Sequence, residues 1–165
     1  MKHLTILSLG LIAALTSCGD PTLAERLEGD WLLNDIVATG DIDFQGQTVS
    51  IHATDDSIAS TSVFSLIKKG ETQDIDAVID ASIIVTHATG FLQMPYATSV
   101  DGTWEVKDGG GATMDSLIIH EDDGTMTRYE IINLLQNSVK LRGLMDVDVQ
   151  GSSDQLNFEL NFEKL

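Results

Sequence analysis

The amino-acid sequence predicts an all-β domain on three grounds: strict two-residue alternation at its C-terminus, turn signals at short intervals after residue 29, and no sustained helical period between them. Leu156, Phe158, Leu160 and Phe162 alternate with Asn157, Glu159, Asn161 and Glu163, so one face is core and the other is water. The segment before it repeats the pattern, with Leu141, Gly143, Met145, Val147 and Val149 on one face and Lys140, Arg142, Asp146 and Asp148 on the other; Leu144 is the exception. Trp104 and Val106 alternate with Thr103, Glu105 and Lys107 in the same way. Further strands are expected near 30–38, 42–52, 58–67, 74–87, 112–121 and 126–135, about nine in all. Turns are signalled at Thr39-Gly40, Gln45-Gly46, Lys69-Gly70, Asp101-Gly102, 108–111, Asp123-Gly124, Asn137-Ser138 and 151–153. The later linkers are hairpin-sized and too short for helical crossovers, which implies an antiparallel meander. Closing it into an up-and-down β-barrel of eight or nine strands removes the exposed edges; an antiparallel β-sandwich is the alternative.

The chain opens with Lys2 and His3, followed by a mostly apolar run from Leu4 to Leu15 that is shorter than the ~20 residues a membrane-spanning helix needs. Leu15-Thr16-Ser17-Cys18 ends that run and resembles the bacterial lipoprotein lipobox. The resemblance implies a signal peptide over 1–17, cleavage before Cys18, diacylation of its thiol and usually acylation of the new amino terminus. Two or more acyl chains make anchoring stable where one does not. A cell-envelope location on the outer membrane is therefore expected. Residues 18–28 then form the lipidated tether and a short helix, and 29–165 the barrel domain. For the helix, Asp20 is the expected N-cap with Pro21 in the first turn, Leu23 and Leu27 on one face and Gly29 ending it.

Composition narrows the partners. Against 26 acidic residues stand 9 basic ones, a formal charge of −17, which repels nucleic acid and anionic headgroups. Cys18 is the single cysteine, so no disulfide can form within the chain and stability rests on burial and backbone pairing.

Gly29-Asp30-Trp31 follows the short helix and opens the first strand, and a second Gly-x-Trp stands at Gly102-Thr103-Trp104. Together with the hairpin spacing of Leu117-Ile118-Ile119, Asp123-Gly124 and Tyr129-Glu130-Ile131, these resemble the lipocalin-like domains of Bacteroidetes-type lipoproteins. The resemblance implies a barrel whose tryptophan packs across the closed end with a basic side chain from a late strand over it, and Arg142 is the candidate for that cation. It also implies a small apolar ligand inside the barrel. The Thr-Asp-Tyr-type turn of lipocalins is missing. Trp31 and Trp104 read most simply as core aromatics, with or without that resemblance.

The chemistry-bearing motifs are sparse. Asp41 to Gly46 and Asp146 to Asp154 echo the first half of a calcium loop, but Asn157 replaces the closing Glu, and strands with water-facing acids account for both. His52, His87 and His120 lack the spacing that sets two imidazoles on one metal. No nucleophile elbow and no phosphate loop occur, so neither enzymatic activity, a metal nor a cofactor is expected. Thr89 to Tyr96 is unusual for a connection, because Phe91, Leu92, Met94 and Tyr96 cluster beside Gly90 and Pro95. It reads either as an edge strand whose Pro95 sits where no ladder donor is needed, or as a lid placing Phe91, Met94 and Tyr96 against a ligand. Two functions follow: a lipid-anchored binding protein for a small apolar ligand, or an envelope scaffold or interaction module with a solid core and a protein partner not specified by sequence.

Overall fold

A computed structural model describes residues 20–165 except 45, 88–89 and 150–151; Cys18 and the 1–17 leader lie outside the described residues. Among the described residues one helix, α1 (Leu23–Leu27), precedes nine strands: β1 (Gly29–Phe44), β2 (Gln47–Ile58), β3 (Val63–Lys69), β4 (Thr72–His87), β5 (Gly90–Lys107), β6 (Ser116–Glu121), β7 (Met126–Leu134), β8 (Ser138–Val149) and β9 (Ser152–Lys164). All neighbours pair antiparallel, and β9 returns to pair with β1 from Trp31–Lys164 to Thr39–Asn157, closing the ring expected of an up-and-down barrel.

Nine strands fill eight places in that ring. The first four residues of β1 pair with β3 and its last eight with β2, while β4 likewise pairs with β3 early and β2 late. β2 and β3 are thus one wall strand interrupted at 59–62. A break in a wall strand strands backbone polar groups away from water, and Ser62 repairs this one. Its carbonyl accepts from Leu33 N–H at 2.9 Å; its hydroxyl donates to the Asp80 carbonyl at 2.9 Å and accepts from Asp80 N–H at 3.0 Å. Ser62 is fully buried, as that role requires.

Two turn signals are overturned. Thr39-Gly40 and Asp101-Gly102 lie inside β1 and β5, not at chain reversals. At Gly40 the glycine serves close approach, since a Cβ would stand 2.7 Å from the Leu156 side chain. At Gly102 both causes act: φ is +156°, and a Cβ would stand 2.1 Å from the His120 carbonyl oxygen. The separate strands expected near 30–38 and 42–52 are consequently β1 and β2 with different bounds. Residues 90–96 belong to β5, so the described part of the Thr89–Tyr96 segment is strand.

The helix begins two residues later than expected. Thr22, not Asp20, is the N-cap: its hydroxyl accepts from Glu25 N–H at 3.2 Å, and the Glu25 carboxylate accepts from Thr22 N–H at 2.7 Å. This reciprocal capping box satisfies two orphan donors, which an Asp at 20 cannot do for a helix starting at Leu23. The bond from Thr22 N–H, and then a second donated to the same oxygen by the Thr22 hydroxyl at 2.9 Å, hold the Glu25 carboxyl below its ordinary range.

Stepping along the registers from Gly29 through Leu66, Ile75 and Gly102 to Glu121, and on by the same steps through β7, β8 and β9, returns to β1 roughly a dozen residues further along. That stagger tilts the strands and sets which inward side chains meet across the ring. Tyr96 on β5 stacks on Phe158 of β9, centroids 5.8 Å apart, although the two strands stand opposite each other in the ring. Phe64 meets Phe162 at 5.3 Å. Around them Trp31, Ile36, Leu66, Leu117, Ile119, Leu141 and Leu160 are buried, and Ile42, Ile51, Ile79, Ile83, Val85 and Leu156 fill the far half.

Phe158→Ala should lower the unfolding free energy in a urea titration by ~3 to 5 kcal/mol, because it empties the centre of the ring. Ser62→Ala should cost ~1 to 3 kcal/mol, since the Asp80 N–H loses its acceptor in a partly buried place. A loss under ~0.5 kcal/mol for Ser62→Ala would contradict the repair role.

Candidate functional site

One end of the barrel is closed by α1. Leu27 is buried, and its carbonyl accepts the indole N–H of Trp31 at 2.7 Å. The ammonium of Lys164 lies 5.0 Å from the Trp31 ring centroid. Leu165 N–H donates to the Asp30 carbonyl at 2.9 Å, and the Arg26 guanidinium donates to the Leu134 carbonyl. The cation over the tryptophan is thus Lys164, not Arg142. Lys164 is the ladder partner of Trp31 at the end of β9, whereas Arg142 projects from the outer face of β8. Lys164 was readable only as the last basic residue of an alternating strand; its meeting with Trp31 depends on ring closure.

Arg142 instead belongs to an external charge cluster. Its guanidinium lies 2.9 Å from Glu159 and 3.8 Å from Glu130, and Lys140 holds the other Glu159 oxygen at 2.9 Å. Hydrogen bonds from Lys140 and then Arg142 depress the Glu159 carboxyl below its ordinary range. Val37, Thr39, Arg142, Asn157 and Glu159 line an open groove of about 360 Å³ on this outer face. Nearby, Asp35 accepts from Asn161 Nδ2 at 2.6 Å. Its carboxyl is pushed above its ordinary range, first by burial and then by the hydrogen bond and charge of Asp55.

The lumen holds the aromatic polar groups. Trp104 is 3% exposed, and its indole nitrogen has no partner among the described residues. Tyr129, the ladder partner of buried Leu117, lies over Gly143, where a Cβ would stand 2.9 Å from its ring. Burial pushes the Tyr129 phenol up to about 12 and the Tyr96 phenol well above its usual value, so both stay neutral.

The three residues expected to line a ligand are not gathered. Phe91 is 74% exposed on the outer face of β5, while Tyr96, an odd number of residues away on the same strand, faces inward onto Phe158. The side chain of Met94 lies outside the described part of the structure. Trp31 and Trp104 take the buried structural positions expected of them.

The Asp41–Gly46 motif forms no cage among its described residues, and the Asp146–Asp154 motif lies outside the described side chains. Asp41 accepts from Ser50 Oγ at 2.6 Å and Asp43 accepts from Gly46 N–H at 2.8 Å, bracketing the β1–β2 turn; the side chains of 145–149 and 152–154 are outside the described residues. His120 pairs with Glu105 at 3.3 Å on the surface. Among the described residues, no three His, Cys, Asp or Glu side chains are grouped to hold a metal ion, and no helix is long and apolar enough to cross a membrane.

No family model, curated protein or solved structure matches this chain.

Two charge effects of opposite sign are testable. Glu159 has a depressed folded pKa, so its contribution is present above the ordinary Glu value near ~4.3 and is lost as pH falls through the folded value. Asp35 has a raised one, so the folded state binds its proton more tightly, and ionisation costs stability as pH rises past ~3.9. Thermal melts should show Asp35→Asn more stable than the parent at neutral pH with no gain below about pH 3.5, and Glu159→Gln less stable at neutral pH with the deficit shrinking in acid.

Proposed function

We propose that this chain is a non-enzymatic, lipid-tethered interaction module of the cell envelope, one that works through its outside rather than through a ligand held within. The observation that carries the reading is the Tyr96–Phe158 stack, which spans the ring between opposite strands where a calyx would need open space. An eight-place barrel is just wide enough to be filled by side chains. Phe64 on Phe162 and the buried Ile and Val of the far half support the same reading, as side chains that occupy the described part of the interior. The lipobox-like Leu15-Thr16-Ser17-Cys18 supports the tether, and the acidic exterior supports solubility beside a membrane without adsorption to anionic lipid.

A carrier for a small apolar ligand, as the lipocalin-like motifs imply, is the second reading, and the Trp104 indole N–H, without a partner among the described residues, favours it as a donor a bound molecule would satisfy.

Titration with chemically varied fluorescent apolar probes separates the two. The module reading expects no saturable uptake; one saturable site, with the probe quenching Trp104 and weakened by Tyr96→Ala, would overturn it. For the tether, Cys18→Ser should move the expressed protein from the detergent phase to the aqueous phase in a cloud-point partition, and unchanged partitioning would remove the lipoprotein assignment.

A further inference from the structure

β5 has one edge that the ring leaves open. Its pairing with β4 runs from His87–Gly90 to Asp74–Thr103, but its pairing with β6 begins only at Gly102–Glu121. No described strand pairs with the β6-side edge of residues 90–101, because the β6–β7 hairpin is short. The wall is low on the far side too: β7 and β8 stop pairing at Glu130–Arg142, and β8 continues to Val149 with only β9 beside it.

The direction of the free groups follows from one bond. The Asp101 carbonyl accepts from Asp122 N–H at 3.0 Å, so the backbone of Asp101 points toward the open side, and by alternation that of Ser99, Ala97, Pro95, Gln93 and Phe91 does as well. Pro95, which has no N–H, thus stands where β4 asks for none. The remaining four residues present N–H and C=O pairs at the spacing of a ladder.

The edge has Pro95 as a protecting device but lacks charged ones. Gly90 to Val100 carries no charged residue in a chain with 26 acids. The surroundings are acidic: Asp101 ends the open stretch, exposed Asp76 and Asp80 pair beside it on β4, and exposed Asp122 and Asp123 cap the β6–β7 turn. Phe91, Met126 and Leu144 are exposed apolar side chains bordering the gap.

We infer that the open edge of β5 binds an extended segment of a partner protein as an added strand, with apolar side chains on the residues that turn inward toward Tyr96, Val100 and Tyr129 and Lys or Arg on those that turn outward beside Asp101, Asp76 and Asp80. The inference rests on the interaction-module reading and names its partner. Backbone pairing supplies affinity, and alternate side chains supply selectivity. The net charge of −17 favours a cationic segment and disfavours a second copy of the same chain, whose edge brings the same acids.

The test titrates the purified chain with a blocked synthetic peptide of alternating valine and lysine, read by amide NMR and hydrogen exchange. Saturable binding that weakens with salt and protects the amides of Phe91, Gln93, Ala97 and Ser99 is the expected result. N-methylation of the peptide on the residues facing β5 should weaken binding by ~10-fold or more, while methylation of the alternate set is tolerated. Ala97→Pro removes one edge donor without touching the β4 ladder and should weaken binding similarly; the methylated peptides give the same answer on unaltered protein if that variant folds poorly. No binding, binding without protection at those amides, or indifference to N-methylation overturns the inference, as does a concentration-dependent dimer that protects the same amides without peptide. These failures are distinct from failure of the module reading, which is signalled by uptake of an apolar probe into the lumen.

Discussion

Closure of the ring by β1 against β9 is the constraint on which everything else rests. β1 must hold three partners: β3 on its first residues, β2 on its last, and β9 along the middle of its opposite edge. That demand explains its 16-residue length and the glycine at 40, where Leu156 of β9 crosses close above the chain. It explains the closed end too. Only because β9 finishes beside the start of β1 does Lys164 reach the face of Trp31, with the α1 carbonyl of Leu27 taking the indole N–H on the other side. Cation, ring and helix form one latch, whose cation–π component is worth ~0.5 to 2 kcal/mol when partly desolvated.

Closure also accounts for the division between a dry inside and a charged outside. With two-residue alternation around the paired part of the ring, each strand sends one set of side chains to a shared core and the other to water. The inner set is Leu, Ile, Val, Ala and aromatics; the outer set carries most of the acids and repels itself. Part of that repulsion is relieved locally, where Lys140 and Arg142 bracket Glu159, and part is stored, where Asp35 and Asp55 share a confined site. The surface is therefore uneven in charge. Its uncharged stretch along β5 stands out for that reason.

The parts of this fold that the residues disclose are those where a strand has one wet face and one dry face along its whole length. β9 from Leu156 and β8 up to Gly143 are of that kind, and their facing follows directly from Leu156 to Glu163 and Lys140 to Gly143. Glycine is harder to read: at Gly46 it marks a reversal, but at Gly40 and Gly102 the same residue admits a neighbouring strand, and nothing local distinguishes the two uses. The uncharged segment at 90–96 was legible as an anomaly, and its two readings differed only in whether a partner strand lay beside it. β4 supplies that partner on one side alone. The choice of Arg142 for the cation over Trp31 failed because that contact is set by the stagger between β1 and β9, a property of the closed ring and not of any segment. The scattered positions of Phe91 and Tyr96 are plainer: five residues apart on a strand, they face opposite ways, so assigning them to one site required a loop.

The central claim is that side chains of opposite strands meet in the middle of the ring. A double-mutant cycle on Tyr96→Ala and Phe158→Ala, measured by urea unfolding, tests it most directly. The account predicts a coupling of ~0.5 to 1.5 kcal/mol, the range of an offset aromatic pair in contact. Additive losses, with coupling within the ~0.3 kcal/mol expected of independent sites, would mean that the two rings do not touch and that the barrel is open where this account has it filled.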